Sequence, residues 1–102
     1  MAEFIKDFES EVSKNEGTVI VDFTAGWCGP CQMFSPVFEK VAEKTKGIEF
    51  KKVDVDKQTE IAQDNGVMSV PTIIFYKDGQ EIDRKNGYMN EAEFTKVVQE
   101  HN

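Results

Sequence analysis

Cysteine is scarce in this chain: there are two in 102 residues, Cys28 and Cys31. A secreted disulfide scaffold of this size carries more, at wider spacing. A bond between the two would close a loop of only four residues, worth about 2 kcal/mol in the chain-entropy account against about 3 for a fifteen-residue loop. It would tie together nothing distant, so a structural staple explains the pair poorly. Histidine is scarcer still, with His101 alone near the end. Structural zinc takes four Cys or His ligands, so a metal site would need a carboxylate or a second subunit, and no bound metal is expected.

Long apolar runs are also missing. The longest, Ile73-Ile74-Phe75-Tyr76, falls far short of the roughly 20 residues of a spanning helix, so no membrane association is expected. The segment from Met1 to Asp7 lacks the basic start and apolar stretch of a signal peptide, and the cytoplasm is the expected location. Positive charge is in deficit, with 12 Lys and Arg against 19 Asp and Glu and a net charge of −7. No basic stripe is present to bind nucleic acid. Repeats, low-complexity tracts and Pro/Gly/Ser-rich linkers are absent, so one domain spanning 1–102 is expected.

What is present is an alternation of helical and strand patterns. Phe4, Ile5, Phe8 and Val12 suit a first helix near 6–15, with room before it for a very short strand. Thr18 to Phe23 is β-branched and reads as a buried strand. Met33, Phe34, Val37, Phe38 and Val41 form a helical stripe running to about Lys46-Gly47, and Pro36 within it predicts a kink rather than a break. A strand is expected over 48–55 and a short helix over 57–65, stopped by Gly66. Thr72 to Lys77 and Gln80 to Lys85 flank Asp78-Gly79, a hairpin signature. Asn90 with Glu93 opens a last helix whose core face holds Phe94, Val97 and Val98. The order β-α-β-α-β-α-β-β-α predicts an α/β fold, a mixed sheet covered by helices on both faces.

The chemistry gathers at Trp27-Cys28-Gly29-Pro30-Cys31, where a buried strand hands over to a helix. A thiolate, not a thiol, attacks a disulfide. Unpaired N–H groups and the positive end of a helix dipole stabilise such a charge on Cys28. The i, i+3 spacing in a first helical turn brings both sulfurs to one side. Phe34 and Phe38 follow Cys31 at i+3 and i+7, turning its sulfur to the core, whereas Cys28 lies at the helix mouth within a substrate's reach. Cys28 is therefore assigned as the attacking nucleophile and Cys31 as the resolving thiol.

Other positions read less clearly from the residues alone. Asp22 interrupts an apolar strand, where an ionised carboxylate is costly. It is either a buried proton acceptor for Cys31 or a cap at the strand's wet end, and the two readings stand level. Pro71 opens a strand and on frequency alone is trans, since about 5–6% of X–Pro bonds are cis. Gly87 is a turn residue or a point of close backbone approach. His101 falls on the apolar face of the last helix near its end and receives no catalytic role.

The segment from Val21 to Cys31 and the Val70-Pro71-Thr72 loop together resemble the thioredoxin family over essentially the whole chain. The resemblance implies that fold, with four to five strands, and protein-disulfide reduction through Cys28 and Cys31. It implies a buried Asp22 near Cys31 with Lys52 modulating its charge, and a cis Pro71 beside the pair. Val70 would offer backbone hydrogen bonds to an extended substrate, within a flat docking surface of Trp27, Gly29, Pro30, Met68, Pro71 and Gly87. No cofactor would be bound; electrons would come from NADPH through thioredoxin reductase. Clients would be disulfide-containing proteins such as peroxiredoxins and reductases, met by a monomer. Two positions depart from the family pattern: Thr24 stands where an aromatic is frequent, and Gln32 where Lys is common. The nearest alternatives are an oxidase or isomerase of the same fold, or a binding subunit using the apolar patch without turnover.

Overall fold

In the computed structural model, which describes residues 1–102, five strands form one mixed sheet in the order β1-β3-β2-β4-β5. They are β1 (Glu3–Phe4), β2 (Thr18–Thr24), β3 (Ile48–Asp54), β4 (Thr72–Lys77) and β5 (Gln80–Asn86), with helices α1 (Gly29–Lys44), α2 (Thr59–Asp64) and α3 (Glu91–Glu100). The central strand β2 runs parallel to β3 and antiparallel to β4. Burial of β2 through its middle accounts for its β-branched, nearly unbroken apolar sequence.

Alternation along the strands divides the core in two. Ile20, Ile48, Phe50, Ile73 and Phe75 pack against Phe34, Phe38 and Val41 of α1 and Phe94 and Val98 of α3. The opposite face carries Val19, Val21, Phe23, Val53, Ile74 and Tyr76, covered by Ile5, Val12 and Ala62. Phe94 closes the first cluster by stacking on Phe38 at 5.7 Å and meeting Phe34 edge-on at 5.1 Å.

Local signals hold with small changes of boundary. The first helix contracts to a turn at Glu9–Ser13, wound widely enough for the Lys14 N–H to reach the Glu9 carbonyl at 2.8 Å. Helix α1 runs unbroken through Pro36 and ends at Lys44, before Thr45 turns extended. Asp78 and Gly79 take φ of 50° and 82°, the left-handed pair of a tight hairpin. A Cβ on Gly79 would run into the Ser13 carbonyl, so glycine is required there twice over. Asn90 and Glu93 close a reciprocal capping box at 2.9 Å each way. His101 sits against the Phe75 ring, with Nε2 2.8 Å from Asp83 Oδ2. No helix is long and apolar enough to cross a membrane.

The sheet's edges are unalike. Strand β1 is two residues long, and β5 carries Glu81, Asp83, Arg84 and Lys85 with a register shift opposite Phe75 and Tyr76.

Candidate active site

Strand β2 leaves the sheet at Thr24, and a short connection delivers Cys28 to the first turn of α1. Cys28 and Cys31 are bonded to each other, with Cα atoms 5.2 Å apart. Cys28 occupies the cap position: its Sγ accepts the Cys31 N–H at 3.2 Å. Gly29 and Pro30 follow, Pro30 needing no N–H partner in a turn that leaves such groups free. The first turn contains no acidic residue, so nothing there opposes negative charge on the Cys28 sulfur.

Exposure within the pair differs less than the sequence predicts. Cys31 is buried as expected, but Cys28 is also only 4% exposed, packed with Ala25, Val55 and Val70. Both sulfurs are therefore screened while bonded. The exposed group is Trp27, at 73%, whose Nε1 donates to Asp56 Oδ2 at 2.7 Å. Gln32, the departure from the family's Lys, reaches back to donate to the Gly26 carbonyl at 2.9 Å. It thus braces the connection into the pair rather than adding charge.

Opposite the cysteines lies the loop before β4. The Val70–Pro71 peptide bond is cis, in agreement with the resemblance and against the frequency argument. The Val70 carbonyl oxygen lies 3.7 Å from Cys28 Sγ, and neither Val70 N–H nor C=O takes part in a backbone–backbone hydrogen bond. The loop is braced from both sides. Thr72 Oγ1 donates to the Ser69 carbonyl at 2.6 Å, and Gly87 N–H donates to the Pro71 carbonyl at 2.8 Å. Trp27, Val55, Val67, Met68, Ser69 and Val70 line a shallow groove of about 170 Å³ beside the pair. Met68 is almost fully exposed, Gly29 and Pro30 are exposed, and Pro71 is buried.

Asp22 is 1% exposed, so it is not a cap at a wet strand end. It shares a sheet face with Ile20, under α1, and its Oδ1 has no hydrogen-bond partner. Burial is the main reason its pKa is pushed up to about 7; Lys52 pulls it down and Glu39 pushes it further up. Lys52 stands opposite Asp22 in the β2–β3 register, as the resemblance implies. Its ammonium, however, pairs with Glu39 Oε2 at 2.7 Å and donates to Ser35 Oγ at 3.3 Å.

Sequence reasoning missed Glu39 and Asp56. Lys52 did carry a legible sign, because it continues the apolar parity of Ile48 and Phe50. No three His, Cys, Asp or Glu side chains converge to hold a metal ion.

Comparison with known proteins agrees with this geometry. The family described as Thioredoxin matches residues 2–100. A thioredoxin of Malassezia sympodialis is 48% identical over 75 residues, covering 72% of this chain and 71% of the relative. Thioredoxin-2 of Saccharomyces cerevisiae is 44% identical over 81 residues, covering 79% and 78%. The solved structure of Plasmodium falciparum thioredoxin superposes with a TM-score of 0.90 at 33% identity, covering all of both chains. Fold, cysteine pair and relatives thus converge, and the chain belongs to the thioredoxin family of thiol–disulfide oxidoreductases, with Cys28–Cys31 as its redox-active disulfide.

Proposed function

We propose that the chain, acting as a single domain over 1–102 and as a monomer, reduces disulfides of client proteins in the cytoplasm. Thioredoxin reductase, drawing on NADPH, returns it to the dithiol form. Peroxiredoxins and other reductases are the client class, with no part for nucleic acid or membrane. The observation that carries this reading is the placement of Cys28 as the cap of α1, its sulfur accepting the Cys31 N–H.

In the dithiol form that N–H and the helix dipole favour the Cys28 thiolate. The thiolate attacks one sulfur of a client disulfide, the client S–S bond breaks, and the departing client thiolate takes a proton. Asp22 then accepts the proton of Cys31, whose sulfur attacks Cys28 Sγ and expels the second client thiolate; that thiolate takes a proton from solvent, and Asp22 releases to solvent the one it accepted. Two electrons and two protons have passed to the client, and the Cys28–Cys31 bond remains. An acceptor with a pKa near 7 suits this transfer at neutral pH. An extended client segment would pair with the free Val70 backbone groups and rest on Trp27, Gly29, Pro30, Met68 and Gly87, whereas Pro71, being buried, shapes the loop rather than the surface. Lys52 acts through charge alone.

Substitution Cys31→Ser tests the assignment. The variant should accumulate client bonded to Cys28, seen as a dithiothreitol-sensitive band on non-reducing gels, whereas Cys28→Ser should trap nothing. Equal trapping by both variants, or none by Cys31→Ser, would overturn the roles.

A further inference from the structure

Lys52 is one ammonium between two carboxylates. Parallel register sets it beside Asp22 on one sheet face, and both side chains are buried. Yet its Nζ lies 2.7 Å from Glu39 Oε2 and 3.3 Å from Ser35 Oγ, groups one turn apart on α1. The Phe4 ring of β1 closes another side, 5.5 Å from Nζ to centroid. No hydrogen bond or ion pair joins Lys52 to Asp22, whose Oδ1 stays unpartnered. Glu39 is itself anchored, because its Oε1 accepts the Ala2 N–H at 2.7 Å.

We propose that Glu39 is a positioning residue for the thiol–disulfide reaction: it holds the Lys52 ammonium toward α1 and thereby leaves Asp22 free to take up the Cys31 proton. The inference rests on the reading of Asp22 as proton acceptor. An ammonium bound directly to a buried carboxylate keeps it ionised and makes it a poor base. Glu39 prevents this twice over, by competing for Lys52 and by placing its own negative charge on the same side of the sheet. Burial opposes ionisation of Glu39, but its hydrogen bonds from Lys52 and Ala2 outweigh that and hold its carboxyl below the usual range. It therefore remains charged through the neutral range. The charged groups facing Asp22 are Lys52 from β3 and Glu39 from α1. From β4 comes the apolar Ile73.

The experiment is a carbon-13 NMR titration of the Asp22 side-chain carboxyl, in oxidised and reduced protein. Parent, Glu39→Gln, Lys52→Met and the double variant are compared. Glutamine preserves the shape and an acceptor for Ala2. Glu39→Gln should lower the Asp22 midpoint by about 1 pH unit or more, as expected when a cation turns to a carboxylate. Lys52→Met should raise it. In the Lys52→Met background the effect of Glu39→Gln should shrink to less than half. An unmoved midpoint, or the same shift with and without Lys52, would overturn the role given to Glu39.

The pH profile of client release from the mixed disulfide, followed in single turnover, separates the two readings. Its inflection should track the Asp22 midpoint in every variant. A midpoint that moves while the inflection stays would overturn the role of Asp22, whereas an unmoved midpoint overturns that of Glu39.

Discussion

Replacing Asp22 by asparagine exchanges one carboxyl oxygen for an NH2 group and removes a titration from the protein interior. In the oxidised protein the cysteines do not titrate, so the effect of Asp22 stands alone. Its carboxyl moves from 3.8 to about 7 on folding because burial disfavours the charge. At about 1.4 kcal/mol per unit, a difference of roughly 3 units amounts to ~4 kcal/mol. The folded state binds this proton more tightly than the unfolded chain does. The contribution of Asp22 to the stability of the parent therefore falls as pH rises through the window from about 4 to about 7, and levels off above it. Asparagine has no such slope. The variant should gain on the parent by ~4 kcal/mol between the two ends of that window, or roughly 3 M in urea midpoint at an m-value near 1.5 kcal/mol per M. An unpaired buried amide costs about 1–3 kcal/mol at every pH, which displaces the whole difference without tilting it. Urea unfolding followed by circular dichroism across the window reads the tilt directly. A gap that stays level with pH would refute the raised proton affinity. A variant that instead loses ground to the parent as pH rises, with the change falling below about pH 4, would mean that Lys52 holds Asp22 ionised.

Gly79→Ala should lose at least about 2 kcal/mol, since alanine is strained at a left-handed φ and its methyl meets the Ser13 carbonyl. The urea midpoint reads this, and an unchanged midpoint would mean that the turn and the Glu9–Ser13 segment yield to each other. Asn90→Ala removes one half of the capping box on α3 and should cost about 1 kcal/mol. Insulin reduction by the folded variant should be unchanged, and a fall in rate would show that α3 communicates with the cysteines.

Features governed by neighbouring residues were readable in advance. The Asp78-Gly79 turn, the Asn90–Glu93 box and the β-branched run of β2 each state their own conformation. The cysteine motif declares itself because strand, turn and helix start adjoin in the chain. Asp22 remained ambiguous because its burial depends on α1 covering that end of the sheet, a matter of packing rather than of local pattern. Pro71 is similar: frequency favours trans, and only the surrounding loop, with Thr72 and Gly87 holding it, selects the observed isomer. The near-complete burial of Cys28 comes from Val55 and Val70, which approach from elements distant in sequence. Glu39 was illegible for the same reason, since its meeting with Lys52 is set by how α1 lies across β3.

The unequal edges of the sheet bear on how other chains can approach. Neither offers a long, flat, apolar row of free backbone groups: β1 spans two residues, and β5 is charged and interrupted in register. Lateral growth of the sheet by an invading strand is thereby discouraged at both ends, which favours dispersal in a crowded solution. The unspent backbone donor and acceptor of Val70 lie instead beside the disulfide. An unfolded segment seeking backbone partners is thus offered them where its own cystine can be met.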